Sequence, residues 1–151
     1  MTIVDEIFED DIIAKLETIV GVSVLDGFLV HYAKDLLTGE NGLSFPCVAA
    51  QLDNETVDLK QGNTEGVMTR IVKLIGAVSA SDKVLVNRKL NDLVFKVRQS
   101  LCIDKYNATE KRNTKSKSID VGGVIFTLPE VSDQYAYFEM TITLKYVEKW
   151  K

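Results

Sequence analysis

The 151-residue chain is 46% hydrophobic and 26% charged, an ordinary globular composition, and a domain of roughly 150 residues buries about 70% of its unfolded surface, so one core over 1–151 needs no disulfide or metal staple. The net charge of −4 is unevenly spread: residues 1–60 hold twelve acids and three bases (−9), residues 61–151 ten acids and fifteen bases (+5), a polarity that can cancel within one fold or align copies head to side. The acidic opening MTIVDEIFEDD argues against a secretory signal, and no apolar run approaches the ~20 residues of a membrane span.

In chain order, residues 3–20 place Phe8, Ile12, Leu16 and Ile19 at helical spacing, flanked by Ile7 and Ile13. Asp5, Glu6, Glu9, Asp10 and Asp11 crowd the first half, where the helix dipole favours negative charge, and Gly21 offers a stop. Over 22–30 the apolar runs Val22–Leu25 and Phe28–Val30 flank the turn dipeptide Asp26-Gly27, which predicts a short hairpin or bent strand. Residues 31–37 form a candidate helical turn, and 38–42 are a loop by composition.

A second strand is predicted over 45–52, with Pro46 admitted at its start or on an edge and Asp53-Asn54-Glu55 as its end. After a polar connection, residues 64–78 read as a long strand apolar on more than one side, with Met68, Val72 and Leu74 sharing a face with Arg70. Ser81 or Asp82 caps a helix reaching Cys102, whose Val86, Leu90, Leu93, Val94, Val97 and Leu101 form the inner stripe and Arg88, Lys89, Asp92, Lys96 and Gln99 the outer face. Cys47 and Cys102 lie in apolar-periodic segments and read as reduced, buried thiols in a reducing compartment.

Residues 104–118, DKYNATEKRNTKSKS, lose all periodicity and read as a flexible basic loop. Strand character returns over 119–128, with Gly122-Gly123 marking a bulge or twist, and residues 129–133 turn the chain into the final strand of a hairpin. That strand, 135–147, alternates almost without error: Phe138, Met140, Ile142, Leu144 and Tyr146 on one face, Tyr137, Glu139, Thr141, Thr143 and Lys145 on the other. One buried and one wet face predict an α+β domain, an antiparallel or mixed β-sheet with two main helices packed on one face.

Candidate chemistry is sparse. One histidine, His31, and no Cys-x-x-Cys supply neither an ordinary zinc set nor a histidine-dependent triad. The glycine pairs in GENG and VGGV lack the Lys-Ser/Thr of a phosphate loop, and acids along a helix surface rarely meet in a cleft. No catalytic, cofactor-binding or metal-ligating residue is therefore nominated. The candidate partner-binding residues are Lys105, Lys111, Arg112, Lys115 and Lys117 of the basic loop, which suit an acidic protein surface; with Tyr106 as its lone aromatic the loop is poorly suited to stacking on single-stranded nucleic acid.

The order of helix, Asp-Gly turn, Phe45-Pro46-Cys47-Val48-Ala49 strand, long strand 66–75, helix 82–101, basic loop and the closing run Tyr137 to Tyr146 resembles the lambda-type tail terminator proteins of tailed bacteriophages, the minor tail protein U family. The resemblance implies a non-enzymatic structural subunit of a hexameric ring that caps the tail tube, ends its polymerisation and offers a surface to the head-tail connector. DNA would pass through its channel without sequence-specific binding. It further implies location in the virion tail or neck, host cytoplasm during assembly, and no membrane partner. Contacts to a contractile sheath stay open, as do two alternatives: a tail-completion or head-tail joining protein, and a small cytosolic α+β enzyme or ligand-binding domain.

Overall fold

The computed structural model describes residues 2–26, 45–60, 62, 64–80, 85–102, 118–127 and 135–150. Its centre is a mixed five-stranded sheet of order β1-β2-β3-β5-β4, built from β1 (Ser23–Asp26), β2 (Cys47–Lys60), β3 (Glu65–Ser79), β4 (Ser118–Thr127) and β5 (Tyr135–Lys149). Helical segments α1 (Ile3–Ile7), π1 (Phe8–Ile13) and α2 (Ala14–Glu17) make one continuous rod, and α3 (Val86–Cys102) a second. The first rod lies against β1 and β2, whereas α3 lies across β3, β4 and β5 and touches α2. The predicted α+β class, with helices over one face, holds.

Alternation explains the sheet's core face. Along β5, Ala136, Phe138, Met140, Ile142, Leu144 and Tyr146 are buried, and the register sets them beside Met68, Val72, Leu74, Gly76 and Val78 of β3. Val48 and Ala50 of β2 continue that face toward the first rod. The inner stripe of α3 is the predicted one, with Val86, Leu90, Leu93, Val94, Val97 and Leu101 all buried. Gly76 lets α3 approach closely, because a Cβ there would fall on Phe138 Cε1 and Cζ and lie 3.2 Å from Leu93 Cδ2. The opposite face is also buried at one end, at Cys47, Ala49, Ile75 and Ala77, in keeping with the two-sided apolar pattern of the long strand.

Several expectations are corrected. The first helix is not uniformly α: residues 8–13 are wound as a π-helix, whose Ala14 N–H reaches the Glu9 carbonyl five residues back, and the rod ends at Glu17 instead of 20. The wide turn carries Phe8, Ile12 and Ile13 inward together, as well as Asp11. Its start is held by a capping box in which the Thr2 hydroxyl accepts from Asp5 N–H and the Asp5 carboxylate accepts from Thr2 N–H at 3.2 Å. Gly21, at φ +78°, takes the left-handed conformation in the turn that follows.

β1 has a long-range partner that the local pattern does not name. It pairs in parallel with β2, Ser23 beside Cys47 and Asp26 beside Ala50, and Ser23 N–H donates to the Pro46 carbonyl at 3.1 Å. Residues 27–44, with the second half of the predicted hairpin, the helical turn and His31, lie outside the described residues.

Asp53-Asn54-Glu55 does not end β2. Leu52 pairs with Val72 and Glu55 with Arg70, so Asp53 and Asn54 together oppose Ile71 as a bulge, and the ladder runs on to Lys60. Ion pairs bracket the bulge, Glu55 to Arg70 at 3.0 Å and Asp53 to Lys73 at 3.8 Å. The second bulge falls where the sequence placed it, Gly122 and Gly123 opposing Thr141 between Val121 and Val124. A Cβ on Gly122 would sit 2.8 Å from the Thr141 carbonyl oxygen.

Candidate assembly surfaces

Two sheet edges are open among the described residues. β1 covers β2 only from Cys47 to Ala50, so residues 51–60 have no described strand on their outer side. β4 closes the other end of the sheet and pairs with β5 alone. Both edges show apolar side chains to solvent: Val57 and Leu59 on β2 are 50% and 52% exposed, and Ile125 and Phe126 on β4 are 69% and 44% exposed. An edge of this kind presents unpaired backbone N–H and C=O groups beside apolar surface.

At the β2–β3 end, Val57 and Trp150 close over Gly66, whose Cβ position lies 2.7 Å from Val57 Cγ2 and 2.8 Å from Trp150 Cη2. Trp150 is anchored by N–H donation to the Thr64 carbonyl at 2.9 Å and by Nε1 to Glu148 Oε1 at 2.7 Å. Beneath lies Tyr146, fully buried. Burial pushes its phenol up, Glu55 and Glu148 act in the same direction, and Arg70 opposes them. The Tyr146 hydroxyl and Arg70 Nε have no hydrogen-bond partner among the described residues, although the guanidinium is near enough to act on the phenol through its charge. Arg70 also helps hold Asp5 below the usual carboxylate range, behind the larger contributions of the Thr2 hydroxyl and Thr2 N–H hydrogen bonds.

Charge is polarised across the helical layer. The first rod carries six acids against Lys15, whereas α3 carries Arg88, Lys89, Lys96 and Arg98 against Asp92. The acidic rod overlies the β1–β2 side, and the basic helix lies beside it across β3, β5 and β4. Residues 51–60 of β2 also carry Asp53, Glu55 and Asp58, the first two paired with Lys73 and Arg70.

Two grooves flank α3. One of about 470 Å³ is lined by Lys15, Ile19, Val20, Lys96 and Gln99, and one of about 290 Å³ by Val22, Phe45, Pro46, Leu93 and Lys96. Lys96 is tied to Asp92 at 2.9 Å. The groove walls mix aliphatic side chains with that exposed ion pair, Lys89 and the hydroxyl residues Thr18, Ser79 and Ser100.

Among the described residues no cluster of His, Cys, Asp and Glu has metal-ligand spacing, and no helix is long and apolar enough to cross a membrane. Cys47 is buried and unbridged, and burial pushes its thiol up to about 11, opposed by a backbone hydrogen bond at Ala77. The side chain of Cys102 lies outside the described residues, as do the nominated partner-binding residues Lys105, Lys111, Arg112, Lys115 and Lys117 and the caps Ser81 and Asp82. The open edges escaped the sequence reading because alternation reports which side of a strand is buried, not whether its rim is paired. No protein-family model matches the chain, and no curated protein matches its sequence.

Proposed function

We propose that this chain is a structural subunit of a phage tail, of the tail-terminator kind: copies close into a ring, most simply a hexamer, that caps the tail tube, stops its growth and offers the head-tail connector a seat. The observation that carries the reading is the polarity of the helical layer, acidic over the β1–β2 side and basic across β3, β5 and β4. Opposite charge on two separate parts of one layer favours heterologous contact between copies over a two-fold contact, and heterologous contacts build rings. The element order that resembles the tail terminators supplies the setting.

In this reading the lysines and arginine of residues 104–118 meet an acidic surface on a neighbour or on the tube. The test is a phage whose copy carries Lys111→Glu, Arg112→Glu, Lys115→Glu and Lys117→Glu, alongside one with the gene deleted. Deletion is expected to give overlong or unjoined tails in electron micrographs. The charge-reversed chain is expected to fold, by its melting curve, and to reproduce that defect. Normal, infectious tails without the protein would sink the terminator reading; normal tails with the reversed charges would remove the basic segment from it.

A further inference from the structure

We infer that copies of this chain join through their sheet edges, the outer edge of β4 on one copy pairing antiparallel with residues 51–60 of β2 on the next. The lengths match, since β4 has ten residues and β2 has fourteen, of which β1 covers Cys47 to Ala50. The β2 edge is guarded by Asp53, Glu55, Asp58 and its Asp53-Asn54 bulge, whereas β4 is guarded only by its Gly122-Gly123 bulge and one charge. The run SIDVGGVIFT of β4 contains no proline or lysine, and Asp120 is its only charge.

Strand direction and face both agree with this contact. β3 is antiparallel to β2 and to β5, and β4 is antiparallel to β5, so β4 runs opposite to β2. Copies related by rotation about an axis near the strand direction keep those senses, and β4 meets β2 antiparallel, the stronger pairing. Val57 lies beside Met68, Val121 beside Ile142 and Phe126 beside Phe138, so these apolar side chains point to the helix-covered face, whereas Ile125, beside Glu139, points to the other. With the ten residues of each edge laid fully against each other, Leu52 faces Phe126, Val57 faces Val121 and Leu59 faces Ile119. The acidic rod of one copy then approaches the basic α3 of its neighbour.

Within one sheet Thr127 stands level with Cys47, through Tyr137 and Ala77, whereas the part of β2 without a partner on its outer side among the described residues begins at Gln51. Neighbours are therefore displaced by about four residues, roughly 13 Å along the strands. Such shear closes a ring when the strands tilt against its axis, as in a barrel, and otherwise yields a filament. Closure rests on the ring reading above; the edge contact does not. The same register sets Asp58 against Asp120 on the other face, a like-charge pair that weakens the contact.

The test uses the full chain with Val57→Cys and Val121→Cys, singly and together, a short bismaleimide, and the unaltered chain as background for Cys47 and Cys102. The double variant is expected to give a ladder beyond dimer, and the single variants nothing above background. Asp120→Asn is expected to tighten self-association about two- to fivefold, and Phe126→Lys to weaken it at least about tenfold, with melting curves unchanged. Dimers from a single variant would show a two-fold contact and overturn the inference. Oligomers in native mass spectrometry that no double variant crosslinks would overturn the edges and leave the ring standing. Crosslinked open filaments would uphold the edges and overturn the ring, and a chain that stays monomeric both free and on tail tubes would overturn both.

Discussion

Replacing Gly76 by alanine probes the closest approach in the core. The added methyl coincides with the ring of Phe138, its cross-strand neighbour, and lies 3.2 Å from Leu93 Cδ2 of α3. Phe138 and Leu93 are 0% and 2% exposed, so neither can swing into solvent, and the strain must pass into the sheet or lift the helix. Overpacking of this kind costs about 1–3 kcal/mol, and two immovable neighbours put the cost in the upper half of that range. At roughly 2–4 °C per kcal/mol for a chain of this size, the melting midpoint should fall by about 4–12 °C in a calorimetric or circular-dichroism scan. Combining Gly76→Ala with Phe138→Leu should recover part of the loss, with a coupling of ~0.5–3 kcal/mol in the double-mutant cycle. Gly123→Ala, with open space around its Cβ position, should change stability by no more than about 0.5 kcal/mol. A Gly76→Ala protein that melts with the unaltered chain, or strict additivity in the cycle, would show that α3 does not rest on β3 through this glycine.

Leu90, 1% exposed on the inner stripe of α3, should cost ~2–5 kcal/mol when cut to alanine, and an unchanged denaturation midpoint would displace the helix register. Cys47, raised to about 11 from an ordinary 9.0, should carry about a hundredfold less thiolate near neutral pH and alkylate correspondingly slowly. Because folding favours its neutral form, the stability it contributes is present below about pH 9 and is lost as the pH climbs through 11. Mass-resolved alkylation against a pH-dependent melting series checks both statements, and Cys47 reacting as fast as an unfolded-chain thiol contradicts them.

Where burial follows local periodicity, the fold was legible before any coordinates. The alternation of 135–147 identified the core face of β5, the four-and-three spacing of Val86 to Leu101 identified the face of α3, and paired glycines marked the β4 bulge. The errors share a physical cause: pairing that leaves no trace in hydrophobic pattern. β2 runs on past Asp53 with both faces largely wet, so its continuation looked like a loop and a bulge looked like a stop. The π turn preserves Phe8, Ile12 and Leu16 as buried positions, and spacing alone could not separate it from an α-helix. β1 pairs with a strand about two dozen residues away, a tertiary contact that local pattern does not report. The Thr2-Ile3-Val4-Asp5 cap carries a local signature, a hydroxyl residue followed three positions later by an acid. As for the surfaces, the charge halves were visible as a sum, but their arrangement as an acidic rod beside a basic helix needed the helices placed.

The sheet order has a bearing on biosynthesis. β5 follows the other four strands of the sheet along the chain, yet it occupies an interior place, pairing with β3 along its whole length and with β4 from Tyr137 to Lys145. A nascent chain stopped before Tyr135 therefore leaves β3 with one side bare and β4 with no neighbour at all. Joining β3 to β5 closes a loop of some fifty-five residues, an entropy cost that falls due only once the last strand has cleared the ribosome. Until then the inner stripe of α3 has most of its floor missing, and that is the interval in which a chaperone, or another nascent copy, has apolar surface to hold.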